Sequence, residues 1–436
     1  MSGIVLIGIL TVLFGMGVYV SVSMGLGGLI LAGVFADRPV WDILGYVPWN
    51  TTTSFTLVAL PLFILMGEVL LRSGVTEGMY STLAKWLNPL PGGLLHSNIA
   101  ACAMFACISG SSAATAATIG RVSLPFLKQY GYNERIALGS IVAGGTLGIL
   151  IPPSIVFIIY GVLVEESIGK LYLAGFIPGL LMTFIFMLLI GMQALRDPKM
   201  APKAVASSWR ERLIGLTAIV PIVFLMGMVL GTIYAGVATA TEAAAFGVCG
   251  AFLIAALNRR VSVAMLRETF LATAGTTAMI LFILIGAFVL QFVLAFLGLP
   301  AKISKWVVDM QLTKLQVVIL ICVLYIVLGT FMEELSMVVT TVPIFLPMLK
   351  ALGIDLVWFG VIVVMLVQIA IVSPPVGMNL FILHAMRREL AGPGAEPPIS
   401  DIFIGVMPFF FAMIFTLVLI VAFPQIALWL PGTSTN

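Results

Sequence analysis

The stretch Leu124-Pro-Phe-Leu-Lys-Gln-Tyr-Gly-Tyr-Asn133 returns as Leu346-Pro-Met-Leu-Lys-Ala-Leu-Gly-Ile-Asp355, 222 positions later. The same offset pairs Pro152-Pro153 with Pro374-Pro375 and Thr118 with Thr340. Nearer the start of each half, at an offset of 219, Phe63-Ile-Leu-Met-Gly67 matches Phe282-Ile-Leu-Ile-Gly286. That offset also aligns Gly17-Val18 and Gly28 with Gly236-Val237 and Gly247, and Pro178 has a counterpart in Pro408. The chain is 61% hydrophobic. Two matching halves with prolines at matching depths are a hallmark of secondary transporters. A structural protein or a membrane enzyme has less need of such a duplication.

The 436 residues carry only 9% charged side chains and have a mean hydropathy of +1.20, whereas soluble domains carry about 25% charged residues. The chain therefore reads as an all-α polytopic membrane protein with no room for a separate soluble domain. A net charge of +3 identifies no partner and excludes a basic nucleic-acid-binding tail. Met1-Ser-Gly-Ile-Val-Leu lacks a positive n-region and a cleavage site, which predicts a mature first span and no signal peptide. Cys102, Cys107, Cys249 and Cys322 sit in apolar stretches without Cys-x-x-Cys spacing and read as small buried hydrophobes. His96 and His384 are isolated and do not suggest a metal site.

Hydropathy predicts ten spans, at 3–16, 18–35, 51–72, 136–163, 172–195, 213–231, 237–257, 271–298, 357–385 and 402–430. Two helical hairpins are expected at 98–128 and 315–348. Residues 1–195 form the first repeat, 196–212 the polar linker with Pro198 and Pro202, and 213–436 the second repeat. Placing the linker in the cytoplasm puts fourteen of the 21 basic residues on that side and six on the other, with Arg121 inside the first hairpin. Both termini then face outward. Five spans per half make the second repeat inverted relative to the first, so the hairpins enter from opposite sides.

The centre of the first hairpin, Ser109-Gly110-Ser111-Ser112, is too polar for lipid. Irregular backbone at membrane depth persists only when buried in protein or lining a wet cavity. Ser hydroxyls and free carbonyls there suit a hard cation, while Ala113–Ala117 read as close-packing residues. Pro152 and Pro153 have no N–H to offer the carbonyls of Gly148 and Ile149, and Pro374 and Pro375 have none for Ala370 and Ile371. Each of these spans is expected to break near mid-membrane. The break leaves carbonyls for a cation and a restarting helix whose N-terminus favours a carboxylate.

At the second tip, Leu328-Gly-Thr-Phe-Met-Glu-Glu-Leu-Ser336, Glu333 and Glu334 read equally as cation ligands or as helix caps. Glu68 and Glu242 are ionisable groups inside spans, and Glu242 has helix capping as its other reading. Arg121 either contacts an anion or snorkels to the interface.

These residues carry a resemblance. Ser109-Gly-Ser-Ser-Ala-Ala-Thr115, Gly148-Ile-Leu-Ile-Pro-Pro-Ser154, Ala238-Thr-Ala-Thr-Glu-Ala-Ala-Ala245, Pro375-Val-Gly-Met-Asn-Leu380 and Phe423-Pro-Gln-Ile-Ala-Leu-Trp-Leu-Pro431 recur in order along the chain. Together they resemble the large membrane subunit of the tripartite ATP-independent periplasmic (TRAP) transporters, the DctM-like family. The resemblance implies an elevator-type, Na+-coupled importer of small organic acids in a bacterial inner membrane. It implies two partners, a small four-helix membrane subunit (Q type) and a periplasmic substrate-binding protein (P type). It places one sodium site on Ser109, Gly110, Ser111 and Ser112 with Gly148, Ile149 and Ile151, and a second on Gly329, Thr330 and Met332 with Ala370, Ile371 and Ser373. Substrate is implied near Ser112, Ser154 and Asn379, with Arg121 as a further candidate. Two departures stand out. The family's second tip usually carries Asp followed by small residues where this chain has Glu333-Glu334, and its Thr-x-Thr-Glu motif often has Pro where this chain has Ala240.

Three other functions fit parts of the pattern. A self-sufficient sodium–dicarboxylate symporter would need no binding protein. An intramembrane enzyme would use Ser111 or Ser112 as nucleophile, but nucleophilic catalysis needs a base within reach, and His96 and His384 lie far along their helices. A passive channel would make little use of two inverted hairpins. ATP hydrolysis by this chain is excluded by the absence of a Gly-x-x-x-x-Gly-Lys motif.

Overall fold

The computed structural model describes residues 2–36, 45–202, 207–302, 305, 310–329, 332–373, 377–391 and 397–433. The described residues are almost entirely helical. Helices α1 (Ser2–Gly15) and α2 (Val20–Phe35) are followed by α3 (Tyr46–Thr52), a 3-10 turn at Phe55–Val58 and α4 (Ala59–Arg72). A short helix that hydropathy did not single out, α5 (Val75–Leu87), precedes the first hairpin. Its arms are α6 (Leu94–Ser109) and α7 (Ser112–Gln129). The first broken helix is α8 (Glu134–Leu150) and α9 (Ile155–Val164), and α10 (Ile168–Arg196) closes the half.

The connection between the halves is shorter than expected. The Ser208 side chain and Glu211 form a reciprocal capping box that starts α11 (Trp209–Tyr234), so Trp209–Arg212 are helical and not linker. A matching box between Thr239 and Glu242 starts α12 (Ala240–Leu257). It assigns Glu242 to capping: Thr239 N–H and Oγ1 both donate to its carboxylate at 2.8 Å. Then come α13 (Val263–Phe296), α14 (Lys314–Leu328), α15 (Glu334–Ala351), α16 (Leu356–Ala370) and α17 (Met378–Ala391). The final predicted span is two helices, α18 (Ser400–Ala422) and α19 (Gln425–Thr433), because Pro424 cannot continue the helix.

Among the described residues, eight stretches are long and apolar enough to cross a membrane. Seven coincide with predicted spans; the eighth is the hairpin arm Glu334–Ala351. The segments predicted at 3–16, 18–35 and 357–385 form shorter apolar helices. Pro374 and Pro375, at the expected break of the last of these, lie outside the described residues.

The repeated phrase is a helix stop followed by a helix start. In the first copy Gly131 takes φ +72°, Tyr132 N–H reaches back to Leu127 O, and Asn133 caps α8 by accepting from Arg135 and Ile136 N–H. In the second, Gly353 takes φ +58°, Ile354 N–H reaches Leu349 O, and Asp355 caps α16 by accepting from Trp358 N–H. Only glycine adopts this left-handed stop without strain, which explains its place in both copies.

Packing repeats as well. Gly28 on α2 lets α13 approach until a Cβ there would lie 3.2 Å from Leu290 Cα. Its counterpart Gly247 on α12 lets α4 approach, and a Cβ there would lie 2.6 Å from Met66 Sδ. The core is built on α8 and α16, which are apolar all round and buried on every side. The first hairpin packs on α8 and the second on α16. The outgoing half of each broken helix crosses to the opposite hairpin, α9 against α15 and α17 against α7. This exchange brings residues of both halves to one site.

Candidate functional site

At the first tip, α6 stops at Ser109, Gly110 turns the chain with φ +58°, and Ser111 is extended and caps α7 by accepting from Ala114 N–H. Ser109 Oγ lies 2.7 Å from Thr115 Oγ1, which also donates to Ser111 O at 2.7 Å. The tip sits in the break of the α8–α9 helix. Ile155 N–H donates to Gly110 O at 3.3 Å, and a Cβ on Gly110 would come 2.8 Å from Pro153 O. Gly148 is the floor of this contact, since a Cβ there would clash with Ser111 O and lie 2.6 Å from Thr115 Oγ1. The oxygens gathered here are hydroxyls and carbonyls, the ligands a hard cation takes.

The second tip repeats the arrangement on Ala370, the counterpart of Gly148. A Cβ on Gly329 would lie 2.8 Å from Ala370 Cα. Met332 N–H donates to Leu328 O at 3.0 Å, and Thr330 lies outside the described residues. Glu333 caps α15 by accepting from Ser336 N–H at 3.1 Å and Ser336 Oγ at 3.0 Å. Its cation-ligand reading therefore competes with an occupied carboxylate oxygen. Glu334 is buried, and its Oε2 meets no hydrogen-bond donor among the described residues.

Three carbonyls expected to be left open by the prolines have partners. Ile149 O accepts the Ser154 hydroxyl at 2.6 Å. Ala370 O accepts from Ser373 N–H at 3.1 Å, and Ile371 O from Asn379 N–H at 3.3 Å. Buried carbonyls are rarely left alone, and local side chains and turn amides reach these sooner than an ion from outside the segment. Ile151 donates its N–H to Leu147 O and is buried, ending α8.

Ser112 and Asn379, from different halves, meet directly: Asn379 Nδ2 donates to Ser112 Oγ at 2.6 Å, both side chains being fully buried. Ser154 is equally buried but turned inward, since it caps α9 at Phe157 N–H besides bonding Ile149 O. Arg121 is exposed, nine residues beyond Ser112, which is about 13 Å along the helix. The structure thus joins two of the four residues and leaves Arg121 apart. Sequence reading passed over Gln368, which donates its side-chain amide to Thr146 O. Its signal was a lone amide in an otherwise apolar span, less than two turns before the double proline.

Both tips open onto one cavity of about 760 Å³, a volume suited to a small organic molecule. Ser109 and Ser111 line it from the first tip, and Glu333 to Ser336 from the second, with Ile155 and Met378 marking the starts of α9 and α17. Glu68 lines its side and pairs with Arg72. Ser112, Ser154 and Asn379 lie behind this wall.

The family model for the DctM component of tripartite ATP-independent periplasmic transporters matches residues 7–426. The chain belongs to this family. It is 32% identical over 452 residues to the C4-dicarboxylate TRAP transporter large permease protein DctM of Rhodobacter capsulatus, covering 99% of each chain. It is 30% identical over 439 residues to the isethionate TRAP transporter permease protein DctMQ of Oleidesulfovibrio alaskensis, covering 98% of this chain and 66% of that one. Its fold is like that of the Alcanivorax borkumensis YdaH transporter crystal structure, with a TM-score of 0.57 at 17% identity, covering 98% and 99% of the two chains. As a DctM-family large permease the chain is a multi-pass membrane transporter component and not an enzyme. The nucleophile reading of Ser111 and Ser112 falls with it: Ser111 caps a helix and Ser112 bonds an amide.

Proposed function

We propose that this chain is the Na+-coupled, moving permease of an organic-acid importer in the bacterial inner membrane, with both termini on the periplasmic side. The observation that carries the reading is the seating of the first hairpin tip on the break of its helix and of Gly329 against Ala370, with residues of both hairpins walling one cavity. A cation bound among Ser109, Gly110, Ser111, Ser112 and the Gly148–Ile151 carbonyls would fix the first tip against α8. A second ion at Gly329, Met332 and Ala370–Ser373 would do the same for the second tip. Substrate in the cavity would meet the N-terminal ends of α9 and α17, whose partial positive charge favours a carboxylate. The hairpins with α8, α9, α16 and α17 would move together, because the hairpins pack on the deeply buried α8, α9 and α16, against a scaffold of α1, α2, α11 and α12.

Working with a small four-helix subunit and a periplasmic binding protein is supported by the family's tripartite description and by a relative named as a DctMQ permease. Relatives named for C4-dicarboxylates and for isethionate support a small organic acid as cargo.

The test is uptake into proteoliposomes holding this chain, a small TRAP membrane subunit and a periplasmic binding protein, under an imposed sodium gradient with labelled organic acids. Uptake requiring both sodium and the binding protein supports the proposal. Sodium-driven uptake without the binding protein identifies a self-sufficient symporter. Uptake indifferent to sodium removes the cation sites.

A further inference from the structure

The cavity between the tips has an unbalanced charge. Its described lining includes the carboxylates of Glu68, Glu333 and Glu334 and neither lysine nor arginine. Two of the three carboxylates are engaged. Glu68 pairs with Arg72, and Glu333 holds the N–H and hydroxyl of Ser336. Glu334 is different: it is only 6% exposed, and its Oε2 has no partner among the described residues. A carboxylate buried without a donor or a cation is strongly unfavourable, and removing water from it makes the penalty larger. A cationic group arriving from the cavity would supply the partner that Oε2 lacks among the described residues.

The cavity holds far more than a bare ion, and much of its wall is apolar, including Phe105, Ile280 and Ile283. Where α9 and α17 begin at Ile155 and Met378, the Ile155 and Asn379 N–H groups are taken by Gly110 O and Ile371 O, so the partial positive charge of the two helix starts, not those donors, is what favours an acid group at this wall. From this juxtaposition we infer that the cavity takes an organic acid that also carries a cationic nitrogen, with Glu334 holding the ammonium or amidinium group and the helix starts holding the carboxylate. This rests on the transport reading and narrows its cargo. An ammonium offers charge-assisted N–H donors to Glu334, which a plain dicarboxylate lacks. A dianion would add like charge beside Glu333 and Glu334.

The experiment uses matched pairs on the purified full chain in detergent, read by thermal unfolding and titration: aspartate against succinate, and 4-aminobutyrate against butyrate. A ligand that binds the folded state raises Tm. The expected result is protection by the amine-bearing member of each pair at concentrations at least about tenfold lower than by its partner. Glu334→Gln should abolish that preference, and Glu334→Asp should keep part of it. Because the paired comparison is made first on the unmodified chain, it stands even if Glu334→Gln does not fold. Equal protection by both members, no protection by either, or a preference unchanged in Glu334→Gln would overturn the assignment. Sodium chloride, with choline chloride as control, is the further arm: protection by sodium that erases the amine preference would make Glu334 an ion ligand and overturn it too. The proteoliposome assay is separate. Sodium-driven uptake of a dicarboxylate without amine preference would leave the transport reading standing and remove only this inference.

Discussion

Gln368 donates its side-chain amide to the backbone carbonyl of Thr146 at 2.8 Å, and the two residues are 222 positions apart, the offset at which the sequence repeats. The bond therefore joins α8 to α16 at the same level of two equivalent helices. Both helices are buried on every side, so the contact lies at the centre of the molecule.

This bond has an unusual balance. Thr146 O lies within α8, while Gln368 Oε1 is buried without a partner among the described residues. One hydrogen bond is worth about 1 kcal/mol net, and one orphaned polar atom costs about 1–3 kcal/mol. Gln368→Met is expected to leave Tm unchanged or raise it slightly. Thermal unfolding in detergent checks this, and a fall of more than a few degrees would mean that the amide oxygen has a partner in the native membrane.

Gly148 carries the seating of the first tip. Gly148→Ala places a methyl against Ser111 O and Thr115 Oγ1. Overpacking of this kind costs about 1–3 kcal/mol, and here it can be relieved only by displacing the tip. Sodium-driven uptake is expected to fall at least about tenfold, since about 1.4 kcal/mol of misplaced tip energy is one decade. Gly191→Ala, facing open space on α10, is the control and should gain up to about 1 kcal/mol of helix propensity. Equal effects from both substitutions would show that backbone stiffness, not tip contact, is what matters.

The Asn379–Ser112 bond ties the halves together across the buried tip. Removing either partner strands the other, so Ser112→Ala and Asn379→Ala should each cost roughly 1–3 kcal/mol. The double variant should cost less than their sum, with a coupling of about 0.5–3 kcal/mol for residues in contact. Denaturation midpoints of the four proteins measure it. Strict additivity would mean that the two side chains do not interact.

Arg387 holds Glu134 in a two-pronged pair at 2.7 and 2.9 Å and Asp401 at 3.0 Å, joining α17, α8 and α18. Its side chain is 8% exposed, whereas that of Arg135, which also reaches Asp401, is 56% exposed. Breaking a fully buried pair costs about 3–5 kcal/mol; the exposed Glu134 lowers this to roughly 1–3 kcal/mol for Arg387→Met. Arg135→Met should cost under about 1 kcal/mol. Added salt should narrow the Arg135 effect and leave most of the Arg387 effect, read as shifts in Tm. The reverse ranking would contradict the burial argument.

Much of the fold was legible because the membrane imposes simple rules. Apolar length marked seven long helices, and Gly110 among serines marked a hairpin turn that the structure places at the expected residues. What length alone missed was α5, which is too short and mixed to register as a span; Glu334–Ala351, expected as a hairpin arm, is also long and apolar enough to cross a membrane. Glu242 was legible as a cap from Thr239 three residues before it. Proline chemistry correctly located the break after Leu150, but it could not say who would take the freed carbonyls. Ser154 and Asn379 do so because the chain folds back locally, and the path of that return is not encoded in spacing.

The sequence by itself determined the helical membrane class, the first hairpin tip and the break after Leu150, because these depend on composition, apolar length and the missing N–H of proline. The tertiary structure decided which residues meet. It set Gly110 against Ile155 within the first half, and it set Asn379 against Ser112 and Gln368 against Thr146 through helices that cross from one half to the other. It also buried the Glu334 carboxyl with its Oε2 unpartnered among the described residues, while its neighbour Glu333 became a cap. Two adjacent glutamates are chemically the same in the sequence. Both line the cavity, and only the direction of the first turn of α15 separates the one that meets Ser336 from the one whose Oε2 meets no donor among the described residues.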